Sequence, residues 1–449
     1  MIAVNKFFGK REYSIQQFLV AAATAAFLFP VFISAGKVTQ TVEYSTEDLI
    51  YGTTQRGYDI IGLPDAVVDG CAGNPQLPLL PLHFVIPANA TLEKIEIAEI
   101  KTVAVPGVYK IAPIQEAVPF SRLAGRPYTS PNPLVYESSS LYPAGNIANT
   151  STGELSGFTV VGMSYFPLRY RPSEGRLFLT ARATISVHYT TGAAHSATTL
   201  SERQFTAFEP VVRAMIHNPG NISRYKPSVR PDAITDVNYA IITDASLSNE
   251  FTALKDWKTR KGFNAGVFST SWISTTYQGY DLAEKIRNFL VDYFKNKGLV
   301  YALLAGDNDK VPERDIAVTV FGTQPHDGKV AADLYYSDLT GNWDANNNHS
   351  YGERQYDNID GRPDIFVGRI PVDNADNVKA FIHKDTVTEK HPPAACQKRF
   401  LLFSVPMGGS INDHLKNLNT ILMDSVAPGW HCPIYSISRK AIKPRYATP

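Results

Sequence analysis

Apolar and polar residues alternate through the first half of the chain. Leu92, Ile95, Ile97 and Ile100 stand against Glu93, Glu96 and Glu99, and Ile185, Val187 and Tyr189 against Thr184, Ser186 and His188. A period of two marks a strand with one buried and one wet face. Shorter apolar runs at 83–86, 159–163 and 177–183 are separated by Pro, Gly and Asn. No long helical period occurs between residues 37 and 191. This pattern predicts an all-β sandwich over residues 36–216.

Residues 217–236 hold Pro219, Gly220, Pro227 and Pro231 among polar neighbours and read as a linker. Arg224, Lys226 and Arg230 make it a candidate for nicking by a basic-residue peptidase. Beyond it the rhythm changes. Strand-like runs at 239–243, 265–268, 300–304 and 364–367 alternate with helical spacing at Phe251, Leu254, Trp257 and Lys258, at 281–293 and at 375–388. Strands that alternate with helices imply crossovers and a mainly parallel sheet over residues 237–393. One more strand at 400–405 and one helix at 415–426 begin a second, incomplete α/β unit over 394–449, expected to be loosely packed because so small a unit cannot cover a sheet. Ligands in such sheets bind beyond the carboxyl ends of the strands. Those ends are Thr243-Asp244, Phe268-Ser269, Gly306-Asp307 and Val405-Pro406.

The amino terminus has its own order. Lys6, Lys10 and Arg11 precede an apolar run over 18–33, broken by Thr24 and Pro30 and followed by Ser34, Ala35 and Gly36. That order is a secretory signal over 1–35, cleaved near Ala35, or else an uncleaved anchor. The run falls short of the ~20 residues that span a bilayer comfortably. The chain is therefore expected to be secreted or held at the cell surface, touching a membrane only through this signal. A net charge of +1 over 449 residues gives no field to recruit nucleic acid. Three cysteines, Cys71, Cys396 and Cys432, imply no disulfide framework. Asn89, Asn149, Asn221 and Asn348 begin glycosylation-type triplets, which count only where the source glycosylates exported proteins.

Several stretches occur in a telling series. Gly73-Asn-Pro75-Gln-Leu-Pro78 leads to Val85-Ile-Pro87. Ala302-Leu-Leu-Ala-Gly-Asp307 leads to Val311-Pro312, and Asp333-Leu-Tyr-Tyr336-Ser-Asp338 leads to Trp343-Asp-Ala-Asn346 and Tyr351-Gly-Glu353. Asp364-Ile-Phe-Val-Gly-Arg-Ile-Pro371 closes the series. Together these resemble the gingipain family of secreted cysteine peptidases, strongly over 239–390 and weakly in the front domain. The resemblance implies a β-sandwich pro-domain that keeps the enzyme latent, then a caspase-like α/β domain that hydrolyses peptide or protein substrates. It implies a thiolate activated by an imidazole, in a Gly-His-Gly segment and a later Ala-Cys at a strand end. Neither segment is found at a strand end after Phe400. Cys432 adjoins His431, His414 falls in a helical pattern, and Cys396 and His391 lie in a Pro-rich connection. No catalytic residue is assigned, and the chain alone is expected to be inactive.

Met407 stands where relatives can place an acid that orients the base. Asp413 stands where arginine-specific relatives bind a basic side chain, or is a helix N-terminal acid favoured by the dipole. Asp344, Asn346 and Asn348, with Glu353, alternate as oxygen donors around a structural Ca²⁺ can, or as an Asn-rich turn does. The family resemblance favours calcium. Asp357 and Asp360 are further ligands or plain loop acids, and Asp307-Asn-Asp309 is turn chemistry. The rival readings are a non-catalytic exported binding protein that uses calcium, and a gene fragment without function.

Overall fold

A computed structural model describes residues 34–88, 90–116, 127–192, 198–317, 329–353, 355–391, 402–404 and 434–436, with backbone alone at 99, 329, 402–404 and 434–436. The front domain is built from antiparallel strands in two layers. One sheet joins β1 (Ser34–Glu43), β6 (Ala90–Val105), β9 (Leu168–Arg171) and β10 (Arg176–Thr191), in the order β1-β10-β6 with β9 beside β10. The other runs β4-β5-β8-β7, from β4 (Val67–Val68), β5 (Pro78–Val85), β7 (Ile147–Leu155) and β8 (Phe158–Tyr165). A hairpin of β2 (Ile50–Thr53) and β3 (Asp59–Gly62) flanks them. The alternation predicted for β10 holds, since Ile185, Val187 and Tyr189 enter one core with Leu80, Leu82, Phe84 and Val160 of the facing sheet. Ser186 departs from the pattern: it is buried too, and its hydroxyl lies 3.2 Å from Thr39 Oγ1 on β1.

The segment read as a linker is ordered. Residues Pro219–Asn221 form a 3-10 turn, α3 spans Ile222–Tyr225, and β12 (Ser228–Arg230) pairs in parallel with β11 (Thr199–Ser201). Proline density suggested exposed chain. Instead Ile222 and Tyr225 anchor the segment in the front core, and the Tyr225 hydroxyl lies 2.9 Å from that of Tyr189.

The helix α2 (Glu202–Met215) ties the two halves together. Ser201 caps it, accepting the Gln204 N–H at 3.2 Å while the Gln204 side chain accepts the Ser201 N–H at 2.8 Å. The same Gln204 amide donates to Phe294 O and Leu299 O, both at 2.9 Å, in the α/β half. Phe208 stacks on Phe366 at 4.4 Å between centroids, while Val212 packs into the front core.

The α/β half centres on four parallel strands in the order β14-β13-β15-β18: β13 (Tyr239–Thr243), β14 (Ala265–Ser269), β15 (Tyr301–Ala305) and β18 (Phe366–Ile370). The two inner strands are apolar almost throughout because both faces are covered. On one face Ala240, Ile242, Ala302 and Leu304 pack against Ile286, Phe289 and Leu290 of α6 (Leu282–Lys297). On the other, Ile241, Leu303 and Ala305 meet Leu254 of α4 (Thr252–Arg260) and Val378 and Ile382 of α8 (Ala375–Lys390). Asp281 caps α6 through the Glu284 N–H at 2.9 Å, and Gly298, at φ 66, ends it in the left-handed conformation. The short α5 (Thr270–Thr276) follows β14, and a β16–β17 pair (Asp315–Ala317, Lys329–Ala331) and α7 (Leu334–Ser337) precede β18.

Past α8, β19 (Leu402–Ser404) pairs in parallel with β20 (Ile434–Ser436). The second strand was not expected: three residues behind Pro433 are too few to show a period. The helix expected at 415–426, and the packing of the chain's end, lie outside the described residues.

Lys258 fastens α4 to α8, with its ammonium 3.1 Å from Asp385 and 3.0 Å from Glu389. Burial raises the Glu389 carboxyl, but bonds from Trp257, Lys261 and Lys258 outweigh it and hold the group at about 2. A lowered acid stabilises above its unfolded value, near 4.5, and loses that contribution as pH falls toward 2. The thermal midpoint is expected to drop across that window, and Glu389→Gln to flatten the drop. An unchanged acid profile in the variant would show that the cluster contributes nothing.

Candidate functional site

The carboxyl ends of the parallel strands form one polar rim. Thr243 ends β13 fully buried, with no hydrogen-bond partner for its hydroxyl among the described residues. Asp244 follows and accepts from the Ser246 hydroxyl at 2.6 Å and its N–H at 2.9 Å. These bonds, with Lys310 nearby, hold its carboxyl below the usual range. Ser269 caps α5 through the Trp272 N–H at 3.2 Å. After β15, the Asp307 carbonyl accepts from Lys310 and Val311 at 2.9 Å each, the turn expected for Asp307-Asn-Asp309. Arg369 of β18 braces this turn, donating to Gly306 O and Val311 O while forking onto Asp333 at 2.7 and 2.8 Å. The rim thus offers fixed carboxylates and hydroxyls. Its described part holds no thiol: Cys71 is in the front domain, and Cys396 and Cys432 lie outside the described residues, as do Met407, Asp413, His414 and His431. His391 is described and exposed, at the end of α8.

The most constrained polar cluster is at the opposite end of the sheet, where the front domain docks. Asp364, fully buried just before β18, accepts the Ser156 N–H of the β7–β8 turn on one oxygen at 3.0 Å. Its other oxygen accepts the Leu339 N–H at 2.8 Å, the Thr340 N–H at 3.0 Å and the Thr340 hydroxyl at 3.2 Å. Asp360 accepts the Glu154 N–H at 2.7 Å, and Arg362 reaches Ser151 Oγ at 3.4 Å. A side chain at Gly153 would run into the Asp360 carboxylate and the Arg362 guanidinium, so this approach needs glycine. Asp338 accepts the Gly341 and Gly361 N–H groups, each at 3.0 Å. Burial, with Asp360 nearby, raises its carboxyl to about 6. Burial pushes Asp364 up to about 8; the Leu339 N–H works the other way, and Asp360, Asp338 and Glu154 add to the rise. Sequence reasoning gave Asp338 and Asp364 only as parts of the family-like series and did not single out Ser156 or Arg362. The available signal was Asp360-Gly-Arg362-Pro-Asp364, charge placed directly against an apolar strand.

The loop proposed for calcium is closed by its own donors. Asp344 accepts the Asn348 N–H at 2.9 Å and the His349 N–H at 3.2 Å; Asn346 Oδ1 accepts the Asn348 N–H at 3.1 Å, and Asn348 Oδ1 the Ser350 N–H at 2.7 Å. The amide nitrogens of Asn346 and Asn348, not their oxygens, face Glu353 Oε2, at 3.4 and 2.7 Å. Asp357 accepts from Ala345 and Glu353 backbone N–H groups at 2.9 and 2.8 Å, while Asp360 belongs to the interdomain contact. A Ca²⁺ needs six to eight converging oxygens. Here the oxygens of Asp344, Asn346 and Asn348 accept from N–H groups of the loop's own backbone, two of them from the single Asn348 N–H. As arranged, Asp344, Asn346, Asn348 and Glu353 form an Asx-rich turn closed on its own N–H donors.

The β-domain is thus held against the α/β domain through backbone donors and a shared helix. The sequence pattern of Peptidase family C25 matches residues 232–437, and that of Propeptide_C25 matches residues 39–216. The chain belongs to this family and is a gingipain-like cysteine peptidase precursor with its pro-domain. Among solved structures it is similar to a complex of Porphyromonas gingivalis RgpB pro- and mature domains, at 19% identity and TM-score 0.32, covering 42% of this chain and 93% of that one. It is similar to a structure of the zymogenic latency of gingipain K from Porphyromonas gingivalis, at 16% identity and TM-score 0.29, covering 35% of this chain and all of that one. The Arg specific cysteine proteinase gingipain R matches at 17% identity and TM-score 0.32, covering 48% of this chain and 44% of that one. The chain thus spans less than half the length of that third structure. No curated protein matches it.

Two outcomes follow from this geometry. Asp338 and Asp364 are raised from 3.8 to about 6 and about 8, so the native chain binds more protons than the unfolded one between those values. Stability therefore falls as pH rises from about 4 toward 8. Asp364→Asn is expected to remove the fall above pH ~6, read by thermal melting; a slope left intact in the variant would assign it elsewhere. For the loop, millimolar calcium or EGTA is expected to leave the thermal midpoint unchanged. A calcium-dependent rise that Glu353→Ala abolishes would show that the amides turn to take the ion.

Proposed function

We propose that this chain is the precursor of an exported endopeptidase, secreted or kept at the cell surface, that acts on peptides or proteins through a cysteine thiolate. Its front domain serves as an intramolecular mount for the α/β domain. The observation that carries the reading is α2, whose residues are divided between two cores: Val212 in the front domain, and Gln204 and Phe208 against the α/β domain. The described contacts of the front domain gather at the amino ends of the parallel strands, around Asp364, Phe366, Leu299 and Phe294. The mount therefore leaves the carboxyl-end rim to the chemistry. Asp413, with its carboxylate, would suit a basic substrate side chain.

Residues 34–230 and 231–449 made as separate polypeptides are expected to copurify. Phe208→Ala should weaken the pair by about 3–5 kcal/mol, the usual cost of emptying a buried aromatic site. Failure to associate would sink the mount. The chain as it stands is expected to hydrolyse no peptide, because neither Cys396 nor Cys432 has a well-placed imidazole in the sequence. Iodoacetamide-sensitive hydrolysis that is lost in Cys432→Ala and in His414→Ala would instead put a working dyad there.

A further inference from the structure

Residues 199–209 precede the α/β domain in the chain but are built into it. Thr199, Leu200 and Ser201 of β11 pair with Ser228, Val229 and Arg230 of β12, and Arg230 forks onto the buried Asp236 at 2.8 and 3.0 Å. Leu200 is fully buried in the apolar cluster that holds Phe289, Phe294 and Leu299. One turn on, the Gln204 amide closes on the carbonyls of Phe294 and Leu299. One turn further, Phe208 lies on Phe366. Gln204 and Phe208 are four apart and share a helix face, which Leu200 continues into the strand. Arg203 adds two polar ties: its N–H donates to Asp232 at 3.2 Å, and its guanidinium donates to the Gly262 carbonyl. Phe205, on another face, stacks on Phe158 of β8 at 5.9 Å between centroids and packs against both cores.

Pro210 ends this stretch. It has no N–H for the Thr206 carbonyl, and its ring crowds that turn, so α2 is weakest there. Past it the partners change. Val212 and Ile216 are buried in the front core, and the His217 N–H donates to His83 O at 2.8 Å. The Asn218 side chain exchanges two bonds with the Val85 backbone, at 2.9 and 2.8 Å. The Propeptide_C25 match runs on to residue 216 and so joins two stretches with different partners.

We propose that the amino ends of the parallel strands carry a recognition site for a strand-to-helix peptide with Leu, Gln and Phe at i, i+4 and i+8, and that residues 199–209 occupy it as a unit separable from the β-sandwich. Each of the three side chains has its own counterpart. The leucine fills the apolar space beside Phe294, and the phenylalanine covers Phe366. Phe294 stands in the last turn of α6, where carbonyls lack helical partners. Gln204 suits the Phe294 and Leu299 carbonyls because its amide nitrogen carries two donors, whereas a glutamate would bring only acceptors. This assignment stands on the contacts and does not depend on the chain being a precursor.

Hydrogen exchange of the full chain, read by mass spectrometry, tests separability. Phe289→Ala, which loosens the α/β core, is expected to speed exchange in 199–209 about tenfold more than in 211–218. Phe84→Ala, in the front core, is expected to do the reverse. Recognition is tested in the full chain carrying Leu200→Asp and Phe208→Asp, which empties the site. A synthetic peptide of residues 198–210 should raise the thermal midpoint of that variant by a few degrees, and the same peptide with Gln204→Glu should not. Residues 199–209 exchanging together with 211–218 in both core variants overturns the proposal. So does a folded double variant that gains nothing from the peptide, or gains equally from both peptides. If the double variant does not fold, the exchange result decides alone. Residues 34–230 and 231–449 can still copurify through the Ser156–Asp364 contact, so failure here leaves the precursor reading standing.

Discussion

A carboxyl group taken out of water must be met by hydrogen-bond partners, and the placement of the Asp364 donors organises the molecule. Three come from the segment just after α7, and the fourth, the Ser156 N–H, comes from the front domain. Leaving such a group partly unpaired costs on the order of 1–3 kcal/mol or more. The α/β domain therefore has one buried acid whose shell is completed only by its neighbour. The β7–β8 hairpin must then approach within backbone reach, which leaves no space for a side chain at Gly153. α2 adds an apolar tie alongside this polar one.

These ties determine what each end of the sheet does. The amino ends are committed to holding the front domain. The carboxyl ends keep short-range polar order, with Asp244 on Ser246, Ser269 on its helix and Arg369 across the turn after β15. The docking contacts and the carboxyl-end polar groups are thus separated by the length of the strands, and the groups at one end are free of the constraints at the other.

Much of the fold could be read from the sequence because burial leaves a periodic mark. β10 showed its alternation, and β13 and β15 showed the unbroken apolar run of a strand covered on both sides. The failures share a cause as well. Proline density in 217–236 looks the same whether the chain is loose or tacked down, and only the partners of Ile222, Tyr225 and Arg230 decide it. The helix α2 was missed although Ser201 and Gln204 form a capping box, since its apolar residues are shared between two cores and its stripe is blurred by Pro210. The Asp344–Glu353 loop shows the limit most plainly. Alternating Asp and Asn suit a cation and a turn equally, and nothing in the spacing alone separates the two. Ser156 and Asp364 were hidden for another reason: their importance lies in a pairing across some two hundred positions, which no local window contains.

The division of α2 also bears on how the chain is made. A chain that is synthesised or threaded across a membrane from its amino end presents the front domain first, with Phe208, Gln204 and the Ser156 N–H turned toward surfaces that do not yet exist. Phe366 and Asp364 arrive only after most of the α/β sheet has emerged. Until then the front domain carries an exposed aromatic ring and an idle donor at the place where the later sheet must land. The surfaces that join the two domains are thus made far apart in the chain, and the contact can close only once the later strands are in place.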